Sequence, residues 1–214
     1  MTAAASHLCL TLGYHRTEIY KNTSNNTREP RPIIFWLVYM LDKNVSLSLG
    51  RASIIKDCDI TLPRDVLELT IGPDWRPIHN NWIRLAELQG IIYEKLYSPA
   101  ALSQPEPERV AAAWGLADQL KVLAAQAPVA VARYTQLAEA DEAYDPILMV
   151  ARSDEVSVYS SLTLVYRALP PLPGSSSTFN PHCIDTARET MRVHQQCLQL
   201  VADDEYTASA YLHW

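Results

Sequence analysis

The run Phe35-Trp36-Leu37-Val38-Tyr39-Met40-Leu41-Asp42-Lys43-Asn44-Val45-Ser46-Leu47-Ser48-Leu49-Gly50-Arg51 constrains this chain more than any other stretch. It is too long for an ordinary strand and closes on a glycine suited to the left-handed position that ends helices, so it predicts a helix. Asp42 and Lys43 interrupt its middle, and the uncharged part falls short of the roughly 20 apolar residues a bilayer span needs. A buried core helix is what remains. Asp42 then needs a partner, because an unpaired carboxylate in an apolar helix is costly. A guanidinium fork satisfies it best, so Arg51 or Arg16 is expected to complete an internal clamp.

The remaining pattern is helical throughout. An apolar face over Ala3 to Tyr20 leads into a polar insert, Lys21 to Glu29, and Pro30 and Pro32 bracket the entry to the run. Asp59-Ile60-Thr61-Leu62-Pro63 reads as an extended strap over the helices, since the residue before proline is held out of helical geometry. Val66 to Pro77 reads as a loop. A helix follows over His79 to Tyr97, with Trp82, Leu85, Leu88, Ile92 and Leu96 on one face. Ser103 and Glu106 form a capping-box signal for a helix with Val110, Ala113, Ala117, Leu120 and Ala124 on its buried side, which Pro128 is expected to stop or kink.

Tyr144-Asp145-Pro146 is a break, with Ser153 or Asp154 expected to cap the next helix over Glu155 to Ala168. Pro170 to Ser177 is a clear loop, and Asn180-Pro181 caps a last helix. Ile184, Ala187, Met191, His194, Leu198 and Val201 give that helix the cleanest amphipathic stripe in the chain. Only 6 glycines and abundant leucine and alanine argue against a turn-rich sandwich or barrel. The expectation is one irregular multi-helix all-α domain with long loops over 1–214, cut at both ends.

Composition also narrows function. A net charge of −6 with no basic run makes this chain a poor direct ligand for nucleic acid. Cys9, Cys58, Cys183 and Cys197 lie far apart, so no metal site is expected from them. No glycine-rich phosphate loop, Gly-x-Ser-x-Gly elbow or His-Glu-x-x-His motif is present, and no catalytic residues are assigned. His194 sits on an apolar stripe as a core histidine would, and Asp203-Asp204-Glu205 reads as a solvated face. Trp36, Tyr39, Trp82 and Trp114 are the aromatic candidates for an effector pocket, with core packing as the competing reading.

Four blocks give these patterns a name: Cys9 to Arg16, Phe35 to Lys43, Ser46 to Arg51, and Asp59 to Pro63. In that order they resemble the fungal-specific transcription factor domain, the middle regulatory region of fungal zinc binuclear cluster factors, including xylanolytic regulators. Leu96 to Leu102 with Arg109, and Ser160 to Ala168 with Arg188 and His194, resemble its later helices. Ala52 stands where the family usually has proline.

The resemblance implies an all-α regulatory domain in a nuclear transcription factor. Zinc and DNA binding would belong to an N-terminal cysteine cluster that this chain does not contain. It also implies a coactivator or a small-molecule effector as partner, and no membrane. A metabolite-binding helical sensor, or a scaffold that lacks a DNA reader, is the alternative.

Overall fold

A computed structural model describes residues 2–20, 30–64, 76–138 and 146–200, with positions 76–78, 127–138, 146–152 and 200 described by backbone alone. The polar insert at 21–29, most of the 66–77 loop, the break at 144–145, Val201 and the acidic run at 203–205 lie outside the described residues. The described residues are helical, joined by turns and extended connections, with no strand among them. The chain divides into two compact units, residues 1–103 and 104–214.

In the first unit, α1 (Thr2–Thr11) ends sooner than its apolar face predicts. Gly13 takes φ +73°, with the Gly13 N–H on the Leu10 carbonyl and the Tyr14 N–H on the Cys9 carbonyl. The same termination closes α2 (Arg31–Ser48): Gly50 takes φ +63°, and the Arg51 N–H reaches back to the Ser46 carbonyl. Both are Schellman caps, in which a left-handed glycine lets two orphan carbonyls find donors.

Pro30 precedes α2 and Pro32 lies in its first turn, as the sequence predicts. The helix α3 (Arg76–Ile92) passes into a π-helical turn over Tyr93–Tyr97. Ser98 then caps the short α4 (Pro99–Leu102) through its side-chain oxygen, which accepts the Ala101 N–H. Phe35, Trp36, Tyr39, Ile55, Leu62, Ile83 and Ala86 form the core together with Cys9. The strap expected from Asp59 starts one residue later, since Asp59 ends a 3-10 turn over Asp57–Asp59. Ile60 is extended, Leu62 is buried, and the Thr61 and Leu62 N–H groups both donate to the His15 carbonyl, while Ile55 is buried in the connection that leads into it.

In the second unit, α5 (Glu106–Ala138) packs on α6 (Pro146–Arg167), and α6 on α7 (Pro181–Leu200). Three local expectations are corrected. Ser103 does not cap α5; its hydroxyl donates to the Pro99 carbonyl behind it, one turn back along α4. Pro128 does not stop α5, whose backbone remains helical to Ala138. Ser153 is a buried residue inside α6, because the helix starts at Pro146, where proline needs no N–H partner. The Asn180 cap holds: its Oδ1 accepts the His182 N–H at 3.1 Å and its Nδ2 donates to the Pro170 carbonyl.

The amphipathic stripe of α7 is the largest surprise. Cys183, Val193 and Cys197 are buried among its described side chains, with Val193 and Cys197 packed against Val156 and Tyr159 of α6. Met191 is 63% exposed and Leu198 36%. The inward face is therefore offset from the stripe that periodicity picks out.

Candidate functional site

Asp42 and Lys43 are neighbours on α2, 2% and 1% exposed. Being consecutive, they leave the helix about 100° apart, and both reach the connection that runs from Ser53 to Asp57. Asp42 Oδ2 accepts the Ile55 N–H at 2.9 Å. Lys43 Nζ donates to Ser53 Oγ at 3.1 Å, to the Ile55 carbonyl at 3.0 Å and to Asp57 Oδ2 at 2.6 Å. An ammonium has three protons, and all three are used. Tyr39, one turn back on α2, donates its hydroxyl to the other oxygen of Asp57, and its ring lies 5.1 Å from Lys43 Nζ.

This corrects the expected clamp. Asp42 is buried, but its partner is the backbone of Ile55 rather than a guanidinium. Arg51 and Arg16 are both exposed, and Arg16 donates its Nε to His15 Nε2 instead. The Schellman turn at Gly50 carries Arg51 out toward solvent and brings the strap back over α2, so a main-chain donor arrives where an arginine was expected. Lys43, which sequence reasoning passed over, carries most of the bonds. Its signal was its place directly after Asp42 in an apolar helix: a fully buried lysine demands fixed acceptors.

The packing around Lys43 is tight. A Cβ on Gly90 of α3 would lie 3.0 Å from Lys43 Cδ and 3.1 Å from Nζ, so the missing side chain makes room for the lysine stem. Burial and the bond to Asp57 together push the Tyr39 phenol well above its ordinary range, so it stays a proton donor. His79, 4% exposed beside Trp82, has its pKa pushed down to about 4 by burial, and its Nδ1 has no hydrogen-bond partner.

The four aromatic candidates fall in different places. Trp36 and Tyr39 meet edge to face at 5.3 Å inside the first core. Trp82 is half-buried, with its ring 5.4 Å from that of His79. Trp114 belongs to the second unit, where it meets Tyr166 and His182 edge to face at 5.7 and 5.3 Å. A groove of about 1060 Å³ lies elsewhere, between α7 and the end of α6. No group of three or more His, Cys, Asp or Glu able to hold a metal occurs among the described residues. No helix among them is long and apolar enough to cross a membrane.

A polar network sealed inside a helical unit, with every donor committed to a neighbouring strap, defines an architectural clamp in an all-α domain. The model of the fungal specific transcription factor domain matches residues 1–121, and the chain belongs to this family as a regulatory domain of a fungal transcription factor. An uncharacterized transcriptional regulatory protein of Schizosaccharomyces pombe is 35% identical over 89 residues, 40% of this chain and 11% of that protein. An ABC-transporter-regulating transcription factor of Aspergillus fumigatus is 31% identical over 117 residues, covering 50% of this chain and 13% of the relative. A second uncharacterized transcriptional regulatory protein of S. pombe is 25% identical over 194 residues, covering 85% and 32%. The chain thus spans a third or less of the length of these relatives. No solved structure matches.

Proposed function

We propose that this chain is the part of a larger nuclear transcription regulator that controls activity without touching DNA. DNA reading, and the zinc cluster that would perform it, belong to a segment outside these residues. The observation that carries this reading is the family match over 1–121, which includes the whole α2 clamp and its strap. The charge of −6 supports the division, since phosphates repel such a surface. We read the regulator as working by binding rather than catalysis, in line with the transcription regulators it resembles and with the mutual engagement of Lys43, Asp57 and Tyr39.

Mobility-shift titrations of the full-length protein and of this chain on the same genomic fragments test the division. The full-length protein is expected to shift DNA and to lose the shift on metal chelation, while the chain alone gives none at low salt. A shift by the chain alone would overturn the proposal. A fluorescent fusion of the full-length protein excluded from the nucleus would overturn the nuclear assignment.

A further inference from the structure

The stripe Ile184, Met191 and Leu198 of α7, with Phe179 from the preceding loop, lines the open groove rather than the core. Phe179 is 46% and Met191 63% exposed, so apolar surface lies bare along about four turns of helix. Every charged residue lining the groove is an arginine: Arg167, Arg188 and Arg192. In a chain with 24 acids against 18 bases, the lining itself carries cations and no carboxylate.

We propose that this groove is a docking site for an acidic amphipathic helix of a partner protein. The apolar strip takes the partner's i, i+3, i+4, i+7 anchors, and the arginines take carboxylates flanking them. Arg188 and Arg192 pair with Asp185 and Glu189 one turn back on the same helix, with exposed side chains. Surface pairs of that kind contribute little and yield to a better placed carboxylate. A second copy of this chain fits less well, because pairing groove to groove brings two linings together whose charged residues are all arginines. Nucleic acid fits poorly too, since most of the lining is apolar and the whole chain is negative. The groove lies beyond residue 121, outside the segment that matches the family.

The probe is a fluorescent 16-residue helical peptide with leucines at the four anchor positions and glutamates beside them, titrated by anisotropy against the 214-residue chain. A twin peptide carries lysine for each glutamate. The acidic peptide is expected to bind at least about tenfold tighter than its twin, and Met191→Asp to weaken it by about tenfold or more. Arg188→Glu combined with Arg192→Glu should reverse the preference between the twins. Both positions are exposed, so this variant keeps its fold, as circular dichroism will check. Equal binding of the two peptides, or binding of neither, overturns the proposal. So does a wild-type dimer in sedimentation that Met191→Asp dissociates, which would make a second copy the occupant.

Discussion

In α2 two charged side chains, Asp42 and Lys43, are nearly without exposure, whereas in α7 Met191 and Leu198 stand in solvent on the most regular apolar stripe of the chain. Hydropathy alone would exchange these fates. The difference lies in what each face meets. The strap delivers a backbone N–H, a backbone carbonyl, a hydroxyl and a carboxylate to the two α2 charges, so each is buried against partners of its own. On α7 the side facing α6 carries Val193 and Cys197, and among the described residues nothing covers the groove-lining face to the same depth. A charge is buried when its partners are built in; an apolar stripe stays open when its cover is not.

The sharpest way to break the first half of this contrast is to remove the ammonium. Lys43→Ala strips donors from Ser53 and Ile55 and leaves Asp57 without its countercharge. Losing one partner of a buried pair costs roughly 3–5 kcal/mol. The lower end is expected, because the Asp57 side chain is 37% exposed and rehydrates. Urea unfolding of the variant, with hydrogen exchange at the Ile55 amide, reads the effect. A wild-type midpoint with unchanged protection would reduce the clamp to an incidental contact.

Next in size is a pH effect from His79. Its native pKa of about 4 lies below the 6.5 of an ordinary imidazole, so between those values the unfolded chain binds a proton that the native state refuses. Stability from this residue is complete above pH 6.5 and is lost as pH falls toward 4, by about 2–3 kcal/mol. His79→Phe should flatten that part of the stability profile relative to wild type. Parallel profiles for the two proteins would show that the ring is not held neutral by burial.

The two units also hold a matched pair of helix-interior glycines. Gly90 faces Lys43, whereas a Cβ on Gly115 of α5 meets nothing within 4 Å. Alanine favours a helix by about 1 kcal/mol over glycine. Gly115→Ala should therefore stabilise by about 0.5–1 kcal/mol, read as a higher denaturation midpoint. Gly90→Ala should destabilise by about 1–3 kcal/mol, because the lysine it crowds is pinned by three bonds and cannot step aside. Equal gains at both sites would mean that Lys43 has room to move.

Much of this architecture is legible in the residues, for local reasons. Gly50 announces the end of α2, Asn180-Pro181 the start of α7, and Ile60 to Pro63 an extended strap, because each depends on backbone preferences of a few adjacent residues. Asp42 is legible as a buried acid in need of a donor. Its donor is not, since choosing the Ile55 amide over Arg51 requires knowing how the turn at Gly50 redirects the chain. Ser103 shows a related failure: the same hydroxyl can serve the helix before it or the one after it, and the presence of α4 decides. The face of α7 that meets α6 is likewise a tertiary fact. Periodicity picks out the 184-187-191 stripe and says nothing about which face of the helix meets α6.

The smallest expected effect tests that last point. Met191→Ser removes a thioether that is 63% exposed, so stability should stay within about 0.5 kcal/mol of wild type. Val193→Ala, two residues along the same helix at 0% exposure, should cost about 2 kcal/mol by opening a void against α6. Denaturation midpoints of the two variants measure the offset between the stripe that the sequence advertises and the face that is buried. If Met191→Ser is the costlier of the two, α7 is packed through its stripe. If Val193→Ala is, the stripe contributes little to folding, and its apolar character needs another cause, which the Arg-rimmed groove supplies as a surface for a partner.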